Sequence, residues 1–263
     1  MLANTTVTTA YQILQLQAST GVAFTVRSNT TLNYQYDVLP AEQPSAPPRL
    51  QYFGIGSNGF YNTDGTTGSA VIFPKATNLN LHDPIPLVIR PLASDLSSEE
   101  KANYRMREIR NIGGTDYAIY WLGKITYEFN RVDLTRISPD KNKSAYALDS
   151  NNLTPVPSYN EVSDVIMQDQ IVASVVAKTT YSRDEVLNAI NILGGDVSRR
   201  SVISEVGWYT GVDKEVVIDE QPAMEAIYTQ LGIHRCSRGI ALSEMGEEIE
   251  STITLQSGQL ALI

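Results

Sequence analysis

The chain has 263 residues, 42% of them hydrophobic, and carries 20 Lys and Arg against 29 Asp and Glu for a formal charge of −9. That length and apolar content suffice for a packed core and exclude wholesale disorder. The acidic balance argues against a general binder of phosphate backbones, whose affinity rests on clustered cations, so nucleic acid is expected at most as a passive contact.

Cys236 is the single cysteine, so no internal disulfide forms, and it reads as a small buried hydrophobe. The start MLANTTVTTAYQ lacks a basic region followed by an apolar one, so no signal peptide is expected. The longest apolar runs, such as Ile85–Ile89 and Ile171–Ala177, are too short to span a bilayer. The reading is a soluble protein made in the cytoplasm and making no membrane contact. The Asn-x-Ser/Thr triplets at Asn4, Asn29, Asn142 and Asn152 are what chance gives in so Asn- and Thr-rich a chain.

Residues 1–38 read as an N-terminal β segment, with strands at Thr5–Thr9 and Gly21–Arg27 from β-branched enrichment. A Pro-rich stretch at 39–49, with Pro40, Pro44, Pro47 and Pro48, reads as an extended arm or linker because proline fixes φ and removes donors. An arm reaching a neighbouring subunit and a surface crossover within one monomer fit it equally. Residues 50–263 form the expected main domain. It opens with a strand at Leu50–Phe53 and a glycine-rich turn region to Gly68, then short strands at Val71–Pro74 and Pro86–Arg90.

Ser97 and Glu100 form a capping box that opens a short helix within Asp95–Asn103. The text from Tyr104 to Phe129 reads as a hairpin about Gly113–Gly114, a longer helix to Arg110 being the competing reading. A polar excursion follows at about 133–160, with room for a small hairpin at Ala145–Leu148, and strand character returns over Val162–Thr180. Ser182 and Glu185 form a capping box for a second helix, with an apolar stripe through Val186, Leu187, Ala189, Ile190 and Leu193 and a stop at Gly194. Ser201–Tyr209 and Glu215–Ile218 read as a hairpin about a Thr210–Lys214 turn. Gln221–Leu231 has helical apolar spacing, and Glu250–Gln256 alternates as a strand. The expected class is mainly β, sandwich- or barrel-like, with two or three short helices and α+β at most.

No catalytic machinery is legible. Gly54-Ile55-Gly56-Ser57-Asn58-Gly59 spells a dinucleotide fingerprint, but turn residues follow where such a site needs a helix, so the glycines read as structural. His82 and His234 are the two histidines. His234 and Cys236 share one face of a strand, yet two ligands do not make a zinc site. Asp116 and Glu128, on or beside one strand, resemble many solvated carboxylates. Lys101, Arg105, Arg107 and Arg110 make the best basic stripe, interleaved with Glu99, Glu100 and Glu108. The expectation is no enzyme, no cofactor and no metal. Tyr52, Phe53, Phe60, Tyr61, Trp121, Trp208 and Tyr209, with the Pro40–Pro48 arm, are the packing or interface candidates.

Leu50–Asn62 (LQYFGIGSNGFYN), Pro74–Thr77 (PKAT), Asp95–Arg107 (DLSSEEKANYRMR) and Ile203–Lys214 (ISEVGWYTGVDK) together resemble virion structural proteins of tailed bacteriophages. No long repetitive fibre shaft accompanies them. The resemblance implies a non-enzymatic neck or collar subunit located in the virion, forming a ring with itself on the sixfold tail axis and contacting other virion proteins. A baseplate or fibre-attachment protein is the same-class alternative. A carbohydrate-binding β-sandwich, its Tyr and Trp forming a sugar platform, is the alternative of another class.

Overall fold

The structure is a computed structural model. It describes residues 3–23, 47–63, 71–74, 80–128, 132–138, 140–147, 158–160, 165–167, 170–194, 201–218 and 221–256. In chain order the elements are β1 (Ala3–Val7), α1 (Thr9–Thr20), β2 (Arg49–Ser57), β3 (Phe60–Thr63), β4 (Val71–Pro74), β5 (Asp83–Ile85), β6 (Val88–Pro91), α2 (Ser98–Lys101), β7 (Tyr104–Ile112) and β8 (Thr115–Lys124). There follow β9 (Thr126–Tyr127), β10 (Asp133–Ile137), β11 (Lys143–Ala145), β12 (Ser158–Asn160), β13 (Val165–Met167), β14 (Gln170–Ser182), α3 (Arg183–Leu193), β15 (Val202–Ile218), β16 (Gln221–Ala241) and β17 (Glu248–Gln256). The protein is mainly β, as its composition implies, with three α-helices among the described residues.

The chain falls into two compact units, Met1–Ile125 with Thr179–Glu250, and Thr126–Lys178 with Ser251–Ile263. This division replaces the expected one between a 1–38 β segment and a 50–263 domain. β1 belongs to the main sheet, pairing antiparallel with β16 from Ala3↔Ser237 to Val7↔Ile233. The polar excursion falls in the second unit, where β10 pairs with β11 and β14, and β9 with β14. Pro40 and Pro44 lie outside the described residues. Pro47 is exposed and Pro48 buried just before β2.

The first unit is built on an eight-stranded sheet in the order β1-β16-β15-β2-β8-β6, with β5 beside β2 and β7 beside β8. The β7–β8 hairpin turns at Gly113 and Gly114, both at positive φ (61° and 88°), which matches the twist of the flanking strands. Trp208, Tyr52, Tyr209, Phe53, Ile55 and Leu122 are buried. Each such side chain contributes roughly 1.5–3 kcal/mol of transfer free energy. α3 starts at its Ser182 cap and places Ala189 against Ile89 and Ile119 of β6 and β8.

Local expectations fail where tertiary pairing or a cap overrides propensity. Thr9–Thr20 is helical: the Thr8 hydroxyl accepts from the Tyr11 amide, and Gly21 closes the helix at φ 72°. Thr210–Lys214 is continuous strand, its irregularity absorbed by register shifts at Trp208/Tyr209 and Thr210/Val212. Gln221–Leu231 is strand because it pairs with β15 down to Ile218↔Gln221, overriding its helical apolar spacing.

Candidate functional site

β15 carries a carboxylate in the middle of an otherwise apolar and small-residue run, Val202-Ile203-Ser204-Glu205-Val206-Gly207-Trp208. Glu205 is 1% exposed. Across the strand pair, Glu205 faces Cys236 and Gly207 faces His234, so Glu205 and His234 lie on one face as diagonal neighbours. The His234 Nε2 atom lies 2.9 Å from Glu205 Oε2. His82, in the segment leading into β5, places Nδ1 2.7 Å from the same oxygen. Its backbone N–H lies 3.2 Å from both carboxylate oxygens.

Both histidines of the chain therefore converge on one buried carboxylate oxygen. His234 is fully buried, whereas the His82 side chain retains 25% of its exposure and forms the outer wall. A buried carboxylate is tolerable only when paired and hydrogen-bonded, and three N–H groups meet that need here. Among the described residues, the far ring nitrogen of His234, Nδ1, is buried without a hydrogen-bond partner. In this arrangement His234 carries its proton on Nε2 and leaves Nδ1 as a bare acceptor, which costs less than a buried unpaired donor.

The glycine motif makes room for this cluster. Gly54 and Gly56 belong to β2, opposite Gly207 and Glu205, so the expected turn at those positions is extended strand. A Cβ at Gly56 would stand 3.4 Å from Glu205 Oε1, and one at Gly59 would stand 2.2 Å from Glu205 Cγ. Sequence reading treats the two histidines separately and pairs His234 with Cys236. The missing partner is Glu205, and the available signal is a charged residue inside a strand whose neighbours are all core-type.

The aromatic candidates divide. Tyr52, Phe53, Trp208 and Tyr209 are buried in the first unit, Phe60 is half-buried, and Tyr61 pairs through its backbone with Phe73 in the β3–β4 hairpin. Trp121 is half-buried against the core and donates its indole N–H to Glu108 at 3.0 Å. Four of these seven packing or interface candidates are thus core. Asp116 accepts from Asn111, and Glu128 belongs to the other unit.

Each cation of the basic stripe has an intramolecular carboxylate partner. Lys101 and Arg107 pair with Asp95, Arg105 with Asp213, and Arg110 with Glu108. Asp213 also accepts from Lys124 at 2.6 Å and from the Tyr52 hydroxyl at 2.8 Å. Burial raises its pKa, but the hydrogen bonds from Arg105, Lys124 and Tyr52 outweigh burial and hold it well below the usual carboxylate range.

Among the described residues, four of the seven exposed large hydrophobic side chains lie at the start of the chain, the others being Tyr127, Val132 and Val217. No Asp, Glu, Lys or Arg occurs before Arg27. Val7, Ile13, Leu16 and Val22 all stand exposed there, Leu16 at 58%, while Leu14 anchors α1 to the body. β1 ends the sheet order, so only one of its sides is paired among the described residues.

The family model described as "Family of unknown function (DUF7208)" matches residues 1–256. The chain belongs to that family. No curated protein and no solved structure matches it. Among the described residues, no helix is long and apolar enough to cross a membrane.

Proposed function

We propose that the chain is a non-enzymatic structural subunit of a tailed-phage virion, part of the neck or collar, that assembles with copies of itself into a ring. The observation that carries the assembly half is the uncharged β1–α1 segment at the sheet edge. It has none of the charges or prolines with which edge strands usually resist pairing. Exposed apolar groups grouped on one short segment are a feature of interaction surfaces. A ring requires a head-to-tail interface in which two different surfaces meet. Among the described residues one side of β1 is open to strand addition, and Ile13 and Leu16 offer apolar anchors beside it. The virion half is supported by the resemblance of the four segments named above.

Sedimentation velocity and negative-stain imaging of the full chain at tens of micromolar test the assembly. A closed ring is expected, and the double variant Ile13→Glu, Leu16→Glu is expected to sediment as a folded monomer. A wild-type chain that stays monomeric across that range overturns the assembly. Mass spectrometry of purified particles of the phage that encodes the chain tests the virion assignment, which fails if the chain is missing from them.

A further inference from the structure

The two histidines are 152 positions apart in sequence, yet their ring nitrogens approach the same carboxylate oxygen. We propose that His82 Nδ1, His234 Nε2 and the Glu205 carboxylate form a binding site for one divalent first-row transition ion of the zinc class. The three donor atoms lie within 4.8 Å of one another. Two imidazoles and a carboxylate suit zinc, cobalt or nickel and do not suit magnesium or calcium, which take all-oxygen shells.

Bonds of about 2.0–2.2 Å in a tetrahedral shell separate neighbouring donors by roughly 3.3–3.6 Å. The observed 2.7 Å and 2.9 Å are hydrogen-bond distances, so each histidine nitrogen parts from the Glu205 oxygen by roughly half an ångström or more when a metal enters. His82, on the outer wall, is the group able to make that adjustment. Glu205 and His234 are held by the β15–β16 pairing, and Gly56 and Gly59 leave the carboxylate its space. Three protein ligands leave a fourth position for water, with His82 on the solvent side.

Metal binding requires the proton on each coordinating nitrogen to leave or to shift to the other ring nitrogen. For His82 that second nitrogen belongs to a partly exposed ring. For His234 it is Nδ1, which has no acceptor among the described residues. Metal-bound histidines normally donate that second N–H, and loss of such a partner typically weakens affinity 10–100-fold. The site is therefore selective for ion type and weaker than a closed structural zinc site.

The test uses the tag-free full chain, stripped with EDTA and titrated with Zn2+ alone by calorimetry, with bound metal counted by elemental analysis. One equivalent per chain is expected, weakened at least tenfold in His82→Ala and lost in Glu205→Gln. Co2+ is expected to give the visible absorption of a four-coordinate ion in the wild type. His82→Ala removes only a partly exposed ring, and circular dichroism checks its fold. Absent Zn2+ uptake, undiminished affinity in a folded His82→Ala, or equal binding of Mg2+ overturns the site. None of these outcomes depends on whether the chain forms a ring.

Discussion

Gly59 stands so close to Glu205 that a Cβ on residue 59 would fall 2.2 Å from Glu205 Cγ and 2.9 Å from the Ser204 carbonyl oxygen. The second contact is backbone, so rotation of a side chain does not relieve the clash. Two glycines of the fingerprint, Gly56 and Gly59, thus leave room for the buried Glu205 carboxylate. It follows that Gly59→Ala forces a backbone shift and destabilises the first unit by about 1–3 kcal/mol, the usual range for overpacking. Gly114→Ala also costs stability, but through positive φ alone, since nothing lies within 4 Å of that Cβ. Urea melts of the two variants, with Zn2+ titrations alongside, separate the effects: only Gly59→Ala is expected to impair metal uptake.

Asp213 links β15 to Arg105 of β7, Lys124 of β8 and Tyr52 of β2 through one side chain. Its folded pKa is depressed, so the stability it contributes is present above its unfolded pKa, about 3.9, and is lost as pH falls from there through the lower folded value. Asp213→Asn leaves Arg105, which is almost fully buried, without its counter-charge. Breaking such a pair costs about 3 kcal/mol or more. Thermal melts between pH 7 and pH 2 are expected to show the wild type losing an increment below pH 4 that the variant lacks at every pH. Parallel pH profiles for the two proteins contradict this role.

The fold class was legible because β-branched and aromatic enrichment and helix caps are local signals: Ser97 and Glu100 form the full capping box, and Ser182 caps α3 while the Glu185 carboxylate turns instead to Arg90. α1 was hidden because Thr8 reads equally as a strand residue and as an N-cap, and only the Tyr11 amide decides between them. Gln221–Leu231 was hidden because its partner strand, not its own spacing, sets its conformation. The cluster was half legible. Two histidines and a glycine motif were visible, but Glu205 joins them through strand register and a loop, neither of which sequence spacing encodes. The aromatics were recognisable as important, and the structure assigns most of them to the core.

Ile13 and Leu16 project from a helix whose single buried residue is Leu14. Ile13 is 49% and Leu16 58% exposed, so replacing either with Glu removes little intramolecular packing and stability is expected to change by no more than about 0.5 kcal/mol. Self-association is the property that changes. Denaturant melts unchanged within that margin, together with a sedimentation coefficient falling to that of one chain, are the expected pair of results. A melt that falls with the assembly instead assigns those side chains to the fold.

Thr8 joins two roles in one hydroxyl. It accepts from the Tyr11 amide at 3.2 Å and donates to the Leu231 carbonyl at 2.7 Å, tying the start of α1 to β16. Thr8→Ala removes the cap, worth about 1 kcal/mol, and leaves a buried carbonyl short of one donor. Thr8→Ser keeps both bonds and discards only a methyl group. If the hydroxyl acts through these bonds, Ala lowers stability by about 1–2 kcal/mol and speeds amide exchange at the start of α1, while Ser stays near wild type. Equal losses in Ala and Ser would place the contribution in the methyl packing, since Thr8 is itself almost fully buried. Exchange rates then distinguish a loosened helix start from a general loss of stability, because the latter also raises exchange in β8, far along the sheet order from β1.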